Sequence, residues 1–441
     1  MVMCSVMAAL GNYIFTLVIL ILPTVQGKLD GQAQIVYQWK SLDYSWQNDT
    51  AKQQYITDKR FIVENNIITG VKVLDGSVYV TVPRWKPGVP STLNKVIINP
   101  TDTNENILEP FPNWKMQTLG DCDALQYVQS MEIDPNTGHM WIIDSGRINR
   151  LTDQPQNLCP AKLVIYDVRN DQLVHVHEFP DAVVSRASNF MNDIVLDYVN
   201  GVASFAYITD TADAKLYVYD CQRNTSYFFK HPSMGIEPGT ETINIGDNQV
   251  ITSATIDGVA MSSDFRFLYY CALNGYSLYR VSTALLRNQS SILSVETVGR
   301  KIDLTDGMVF TDKALYFGGL TTNALYKWST SRVKYSAFNQ EMVISDETNL
   351  RWVDTIAVDD RQNLWLVANG LDMFVSRRRN ITKTNIFIWK IPVGENGYLS
   401  AAISRTRDNI SKGNMKNVAC NTVLLSALTL FIIVSFILQN K

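Results

Sequence analysis

The chain between Lys28 and Gly413 consists of short apolar runs separated by Asp, Asn and Gly. The runs are rich in Val, Ile, Tyr, Phe and Trp, and no long stretch repeats with the period of a helix. Short runs of β-branched and aromatic residues bounded by turn residues are typical of strands. The pattern therefore predicts a body built from β-strands.

Three strand patterns recur six times in a fixed order, which indicates a repeat protein. The first strands start near Thr69, Gln129, Asn192, Asp257, Asp306 and Asp354. The second strands start at Ser77, His139, Ser204, Arg266, Ala314 and Asn363. The third strands start at Asn94, Lys162, Lys215, Ser277, Ala324 and Asn385.

A fourth, outer strand is predicted in four of the units, starting at Leu173, Ser226, Ile292 and Met342. The stretch from Ile35 is a spare strand that could complete the last unit and close a ring. Four strands per unit in a closed ring predict an all-β fold, a six-bladed β-propeller. Two stacked β-sandwiches are the alternative, but sandwiches do not repeat one strand order six times.

The two ends of the chain have the composition of targeting segments. Residues 1–27 predict a secretory signal peptide cleaved before Lys28, with a retained signal anchor as the alternative. Residues 28–413 form the predicted propeller domain. Residues 414–441 end in an apolar tail, which predicts either a GPI signal or a single transmembrane helix. On either alternative the body faces the outside of the cell.

Composition narrows the class of function. Hydrophobic residues make up 46% of the chain and charged residues 18%, which suits a packed core. The net charge is −3, so the basic excess of a nucleic-acid-binding protein is absent. Only the ends are continuously apolar, which excludes a polytopic membrane protein.

Cysteines and glycosylation motifs agree with export. Because neighbours in sequence fit the repeats, we expect two disulfides, Cys122–Cys159 and Cys221–Cys271. Motifs for N-glycosylation occur at Asn48, Asn224, Asn288, Asn380 and Asn409.

Polar residues recur at the same place in the first strands, which line the central channel of a propeller. Aligning the repeats brings together Gly70, Gln129, Asn192, Asp257, Asp306 and Asp354, with Asp193 beside them. Carboxylates that converge on one mouth attract cations, such as a protonated amine or calcium. No other cofactor is predicted. The alternative is structural, because an acid at a strand start can accept backbone N–H bonds.

Other candidate groups are weaker. The second strands end in polar residues that face the same mouth: Asp144, Asp210, Asn274, Thr321, Thr322 and Asn369. The nearby aromatic residues are predicted to pack in the core. Motifs of serine hydrolases, zinc hydrolases and nucleotide-binding loops are absent. His175 and His177 share one face of an outer strand and could hold a metal, but a solvent-facing pair is favoured.

The motifs resemble those of the yellow/major royal jelly protein family of insects. The matching stretches include WKSLDY from Trp39, QSMEIDPNTGHMWIIDSGR from Gln129, DGMVFTDKALYFGGL from Asp306 and LWLVANGL from Leu364. The resemblance covers about Ile35 to Pro392. It implies a secreted, often glycosylated six-bladed propeller.

Functions attributed to the family include cuticle pigmentation, conversion of dopachrome, nutrition and binding of biogenic amines. In the amine binders, the ligand lies at the channel mouth against the last blades. The residues that match here are Asp354, Thr355, Asn369 and Leu371, although amine binders favour an aromatic residue where this chain has Leu371.

The leading hypothesis is an extracellular protein that binds a small amine or catechol and no nucleic acid. Asp257, Asp306 or Asp354 would pair with an ammonium group, whereas Thr355 and Asn369 would bond ring hydroxyls. The first alternative is a dopachrome-converting isomerase or tautomerase that uses a channel carboxylate as its base. The second is a structural glycoprotein of the cell surface or cuticle.

Overall fold

The computed structural model describes residues 32–99, 106–331 and 335–400. The predicted signal peptide (1–27), the tail (414–441) and Asn409 lie outside the described residues. Within the described residues, no helix has the length and apolar character needed to cross a membrane.

Six four-stranded antiparallel sheets, the blades, make up the fold. In each list the strands run from the channel outward. Blade 1 comprises Gly70–Leu74, Ser77–Thr81, Leu93–Ile98 and Asn106–Pro110. Blade 2 comprises Val128–Asp134, His139–Asp144, Lys162–Asp167 and Gln172–Glu178. Blade 3 comprises Met191–Val199, Val202–Asp210, Lys215–Asp220 and Thr225–Phe229.

The remaining blades follow the same order. Blade 4 comprises Ile256–Met261, Phe267–Ala272, Ser277–Ser282 and Val295–Arg300. Blade 5 comprises Met308–Phe310, Ala314–Gly319, Ala324–Ser329 and Gln340–Ser345. Blade 6 comprises Val353–Val358, Asn363–Ala368, Ile386–Pro392 and, as its outer strand, Gln34–Trp39. Each innermost strand contacts those of both neighbouring blades, so the ring is closed and the predicted six-bladed propeller is confirmed.

The N-terminal strand closes the ring, as predicted for the spare strand that starts near Ile35. Gln34–Trp39 pairs antiparallel with Ile386–Pro392 and completes blade 6 with a segment from the other end of the body. The indole of Trp39 donates a hydrogen bond to the carbonyl of Asn106, 2.8 Å away, in the outer strand of blade 1. The first and last blades are therefore tied together.

Elements outside the blades occupy the connections. The α-helices are Asp49–Thr57, Thr283–Leu286 and Leu371–Val375, and the 3₁₀ turns are Val63–Asn65, Lys115–Gln117, Pro232–Met234 and Ala337–Asn339. Two small hairpins pair Arg147–Ile148 with Gln156–Asn157, and Thr242–Ile245 with Asn248–Ile251. The second, residues 242–251, is called the roof hairpin below. The repeat pattern did not predict these elements.

The core lies between the blades. The second strands are almost wholly buried, because both of their faces pack against neighbouring sheets. The aromatic residues expected in the core are buried there: Trp141, Tyr207, Tyr269, Tyr316 and Trp365.

One predicted disulfide is present and the other is wrong. Cys122 and Cys159 are bonded, with Cα atoms 5.4 Å apart. Cys271 is a free, buried thiol, so the Cys221–Cys271 pair does not form. Cys221 follows the far end of a blade 3 strand, whereas Cys271 lies near the channel-mouth end of a blade 4 strand. A six-residue strand spans about 20 Å, which is much longer than a disulfide allows.

The predicted glycosylation sites within the described residues are all exposed: Asn48, Asn224, Asn288 and Asn380. Exposure makes them accessible to a glycan, and their modification stays a prediction.

Candidate ligand-binding site at the channel mouth

A cavity of about 230 Å³ opens at one end of the central channel. Six of the predicted site residues line it: Gln129, Asn192, Asp257, Asp306, Asp354 and Leu371. They come from five blades, and the first and last of them, Gln129 and Leu371, are more than 240 positions apart in the sequence. The cavity lining does not include Asp193, Thr355 or Asn369.

A β-bulge positions the polar side chains. The pairing register shifts at the start of four innermost strands, between Val128 and Met131, Met191 and Ile194, Ile256 and Val259, and Val353 and Ile356. The first residue inside each shift is Gln129, Asn192, Asp257 or Asp354. Bulges redirect side chains and are enriched beside functional sites. Here the same irregularity turns one polar residue in each of blades 2, 3, 4 and 6 toward one mouth.

Glycine after an aspartate lets adjacent blades approach closely. A Cβ atom on Gly258 would lie 2.1 Å from the carbonyl oxygen of Asp306. A Cβ atom on Gly307 would lie 2.0 Å from the carbonyl oxygen of Asp354. The two Asp-Gly pairs therefore combine a polar side chain with the one residue type that fits between the blades.

Each of the three carboxylates at the mouth has a polar partner. The amide of Asn192 donates to Asp257. The indole of Trp352 donates to Asp306 across 2.7 Å, and the amide of Asn369 donates to Asp354 across 2.7 Å. These bonds orient the carboxylates but bring no positive charge to them.

Burial and mutual repulsion favour the protonated forms of these acids. Burial raises the pKa of Asp306 to about 7. Burial and the nearby Asp306 carboxylate raise the pKa of Asp257 and of Asp354 well above the usual range. The direct interaction between Asp257 and Asp306 also raises the pKa of Asp257 and lowers that of Asp306.

Asp193 lies deeper in the channel. It accepts a 2.9 Å hydrogen bond from Ser130, and burial raises its pKa. At the far end of the channel, Lys72 pairs with Glu132 at 2.9 Å, and the hydroxyl of Tyr398 donates to Glu132 across 3.1 Å. The segment that carries Tyr398 closes this end, which leaves a cavity of only about 50 Å³.

The polar residues at the ends of the second strands have structural roles. Asp144 accepts hydrogen bonds from the backbone N–H groups of Gln126 and Tyr127 at 2.7 and 2.9 Å. Asp210 accepts one from Phe190 at 3.1 Å, and Asn274 accepts one from Ala254 at 2.8 Å. Each side chain holds the loop that leads into an innermost strand, and none of the three lines the cavity.

Two predicted ligand contacts are placed differently from the expectation. Asn369 is buried behind Asp354, with its amide also donating to the carbonyl of Ile68 across 2.9 Å. Thr355 is the second residue of the blade 6 bulge and packs beside Gly307. Asn369 therefore positions a carboxylate, and neither side chain reaches the cavity surface.

An apolar wall stands above the carboxylates. It is formed by Trp85, Leu151, Phe190, Val250, Ile251, Ala254, Leu273, Trp352, Leu371 and Val375. Most of these residues come from loops rather than from the repeated strands, so the strand alignment missed them. The one local signal is Trp352, an aromatic residue two positions before Asp354. It adopts a left-handed backbone with φ of 55°, which is rare for a bulky residue.

The roof hairpin covers one side of the cavity and is held in place by an ion pair. Arg351 contacts Asp372 with nitrogen–oxygen distances of 2.5 to 3.1 Å and also donates to the carbonyl of Ile245 at 2.8 Å. The amide of Asn248 donates to Asp372 across 2.8 Å. Hairpin and helix Leu371–Val375 therefore form one roof.

The site combines buried acids with an apolar wall. No Lys or Arg occurs among the described residues that line the cavity. A cation with an apolar body complements such a surface, because it neutralises the acids and buries its hydrocarbon against the wall. The described residues contain no group of three or more His, Cys, Asp or Glu arranged for a metal ion.

The curated proteins that match this chain include the "Protein yellow" of several Drosophila species. The "Protein yellow" of Drosophila yakuba and that of Drosophila melanogaster are each 26% identical to this chain over 372 residues. These matches cover 81% of the chain and 68% of each relative. For the Drosophila madeirensis protein the covered share is 65%, so the chain spans about two thirds of the length of these relatives.

Among solved structures, a luciferin-regenerating enzyme matches with a TM-score of 0.47 and 13% identity, covering 75% of this chain and 93% of that one. A virginiamycin B lyase from Staphylococcus aureus matches with a TM-score of 0.38 and 13% identity, covering 69% of this chain and 78% of that one. Scores this low carry no argument about function.

The model of the major royal jelly protein family matches residues 126–397. This stretch contains the innermost strands of blades 2 to 6 and the three acids at the channel mouth. The match extends over more than half of the sequence, and the chain therefore belongs to the major royal jelly protein family.

Proposed function

We propose that this protein binds a small organic cation with an aromatic body, such as a catecholamine or an indoleamine, at the channel mouth. One observation carries the proposal: Asp257, Asp306 and Asp354 are buried together beneath an apolar wall. Three neighbouring buried acids are unfavourable as anions unless a positive charge joins them. An ammonium group supplies that charge and up to three hydrogen-bond donors.

The cavity also suits the rest of such a ligand. Its size of about 230 Å³ fits one small molecule rather than a polymer. The ring would pack against Trp85, Phe190 and Leu371, while Asn192 and Gln129 offer polar contacts beside the acids. The absence of an aromatic residue at position 371 predicts a weaker ring contact there than in amine-binding relatives.

We further propose that the protein acts outside the cell, in pigmentation or the cuticle. The Cys122–Cys159 disulfide supports this location, because such bonds persist in oxidising compartments. The similarity to the "Protein yellow" of several Drosophila species supports the role in pigmentation.

The test is a thermal shift of the purified protein with dopamine, octopamine, tyramine, serotonin, dopachrome and calcium. A ligand that binds only the folded state adds about 2.7 kcal/mol at a hundred times its dissociation constant. We expect an amine to raise the melting temperature. Asp354→Asn should weaken binding of that amine at least about tenfold, because the amide keeps the shape of the side chain but cannot release a proton to pair with the ammonium group.

Asp264→Asn is the matched control, since Asp264 lies in a turn of blade 4 bonded to Ser262 and Arg266, away from the cavity. An equal response of the two variants to the amine would remove Asp354 from the site. If none of the compounds shifts the melting temperature, the binding proposal is wrong and a structural role for the channel gains ground.

A second candidate function is an isomerase or tautomerase for dopachrome-like quinones. The pKa of Asp306, about 7, favours it, because a carboxyl group that titrates near neutral pH can both take and give a proton. The rate of dopachrome conversion should then depend on pH near 7 and fall at least about a hundredfold in Asp306→Asn. A rate equal to that of buffer alone would contradict it.

A further inference from the structure

Two histidines on the outer edge of blade 2 converge on a turn of blade 3. His175 and His177 lie on one face of the strand Gln172–Glu178. The facing turn carries Asn224. The pair is not simply solvent-facing, as the sequence suggested, because the side chain of His177 is buried.

Three polar groups aim at a single oxygen atom. The Oδ1 atom of Asn224 lies 2.9 Å from Nε2 of His175, 3.1 Å from Nδ1 of His177 and 3.1 Å from the hydroxyl of Tyr219. An amide oxygen has two lone pairs and accepts two such bonds well. The cluster therefore has more polar groups directed at Asn224 than that oxygen can satisfy.

The spacing of the donor atoms also fits a metal ion. Zinc binds imidazole nitrogens at about 2.0–2.1 Å and carboxylate oxygens at about 2.0–2.2 Å, and an amide oxygen is a comparable donor. Two donors at that distance, separated by about 90–100° at the ion, are about 2.9–3.1 Å apart. The two nitrogen–oxygen separations of 2.9 and 3.1 Å match this arrangement.

The surroundings hold the histidine rings in place. Nε2 of His177 lies 3.0 Å from the hydroxyl of Ser226, which leaves Nδ1 facing the cluster. Bonds of this kind to the second ring nitrogen orient metal-binding histidines. The ring of Tyr219 packs against both imidazoles, with centroid distances of 4.7 Å to His177 and 6.4 Å to His175.

An ion can reach the cluster from solvent. Asn224 is exposed and lies in a tight turn, with φ of 50°. It is also a predicted glycosylation site, and a glycan attached to its nitrogen leaves Oδ1 in place.

We propose that His175, His177 and Asn224 form a binding site for a divalent transition-metal ion, Cu(II) above all. Two imidazoles and an amide oxygen at nearly right angles suit the tetragonal N,O geometry of Cu(II), which also binds such donors more tightly than Ni(II) or Zn(II). The site is on the rim of the propeller and does not depend on a ligand in the channel.

The test is a calorimetric titration of the purified full-length protein with Cu(II), together with electron paramagnetic resonance. We expect one bound ion with couplings to two imidazole nitrogens. His175→Ala should weaken binding at least tenfold and leave one nitrogen coupling. Asn224→Asp should tighten binding, because a carboxylate is a stronger ligand than an amide.

His139→Ala is the matched control, since His139 lies on a second strand of blade 2 near Asp167 and away from the cluster. The affinity of the His139→Ala variant for Cu(II) should equal that of the unmodified protein. No binding of Cu(II), or equal binding by the His175 and His139 variants, would overturn the proposal. His177→Gln gives a second check if the melting temperature shows that it folds.

Discussion

At the scale of single residues, the unusual feature is a group of buried aspartates whose pKa values are raised by burial. Asp257, Asp306 and Asp354 interact with one another, and their polar partners are an amide, an indole and an amide. Without a bound cation, protonation of the carboxylates is the state of lowest free energy. A bound cation and the protons therefore compete for the same carboxylates.

This competition predicts a pH-dependent affinity. The pKa of Asp306 is raised to about 7, so below that pH the cation must displace a proton. We expect affinity to rise about tenfold per pH unit below pH 7 and to level off above it. Calorimetry in buffers of different ionisation enthalpy should detect proton release on binding near pH 6.

The same linkage sets the stability of the ligand-free protein. The pKa of Asp306 is higher in the folded state than in the unfolded chain, so its contribution to stability is greatest below pH about 4 and falls as the pH rises to about 7. Asp306→Asn should reduce both pH dependences, whereas Asp264→Asn should change neither. Affinity that is constant from pH 5.5 to 8 would contradict the proposed competition.

At the scale of elements, the roof of the cavity is the part least supported by the propeller itself. The roof hairpin belongs to no blade, and its pairing is limited to its own two short strands. Arg351 and Asn248 fix its position through their contacts with Asp372, and Ile243 and Ile245 pack in the buried core. An isolated two-stranded hairpin is marginally stable, so these contacts decide how far the cavity stays covered.

Weakening the ion pair should therefore open the roof without unfolding the ring. Asp372 is fully buried, and Asp372→Asn removes the charge that Arg351 contacts. We expect the free energy of local opening to fall by about 1–3 kcal/mol. Hydrogen exchange of residues 242–251 should become correspondingly faster, and amine affinity should fall, while the melting temperature changes little.

Asp247→Asn is the control on the same hairpin. Asp247 is exposed and pairs with Arg378 at 3.2 Å, and such surface pairs contribute little. Exchange that is equally fast in both variants would show that the buried pair does not hold the roof.

At the scale of the whole molecule, stability depends on the closure of the ring. The N-terminal strand adds the fourth strand of blade 6, and Trp39 links it to blade 1. Closure removes the exposed edges that an open array of blades would leave. The site benefits too, because its residues come from five blades that must keep a fixed spacing.

Replacing the buried indole should test this closure. Trp39→Ala is expected to lower the free energy of unfolding by about 3–5 kcal/mol, through lost burial and the lost bond to Asn106. Gln38→Ala, at an exposed position of the same strand, should change it by less than about 0.5 kcal/mol. Denaturant unfolding measures both variants. A loss below about 1 kcal/mol for Trp39→Ala would mean that closure of the ring does not depend on this indole.

The blade repeat was predictable because its signals are local. Alternating apolar residues mark each strand, and the same order recurs along the chain, so the six blades and the closing strand follow from pattern alone. Asp257, Asp306 and Asp354 were found in the same way, since equal positions in repeated units must lie at the same end of the ring. The Cys122–Cys159 bond joins segments that are close in sequence as well as in space.

Tertiary structure alone decided the features that depend on distance between remote segments. The bulges that turn Gln129 and Asn192 toward the channel arise where blades pack, and single strands carry no signal for them. Cys271 lacks a disulfide partner because strand direction places it at the other end of the blades from Cys221. The loop residues of the apolar wall, the buried role of Asn369 and the raised pKa values all depend on three-dimensional burial. The sequence by itself thus determined the repeating fold and the acids at the channel mouth. Only packing between distant segments decided the hydrogen-bond partners of these acids, their protonation and the apolar roof that covers the cavity.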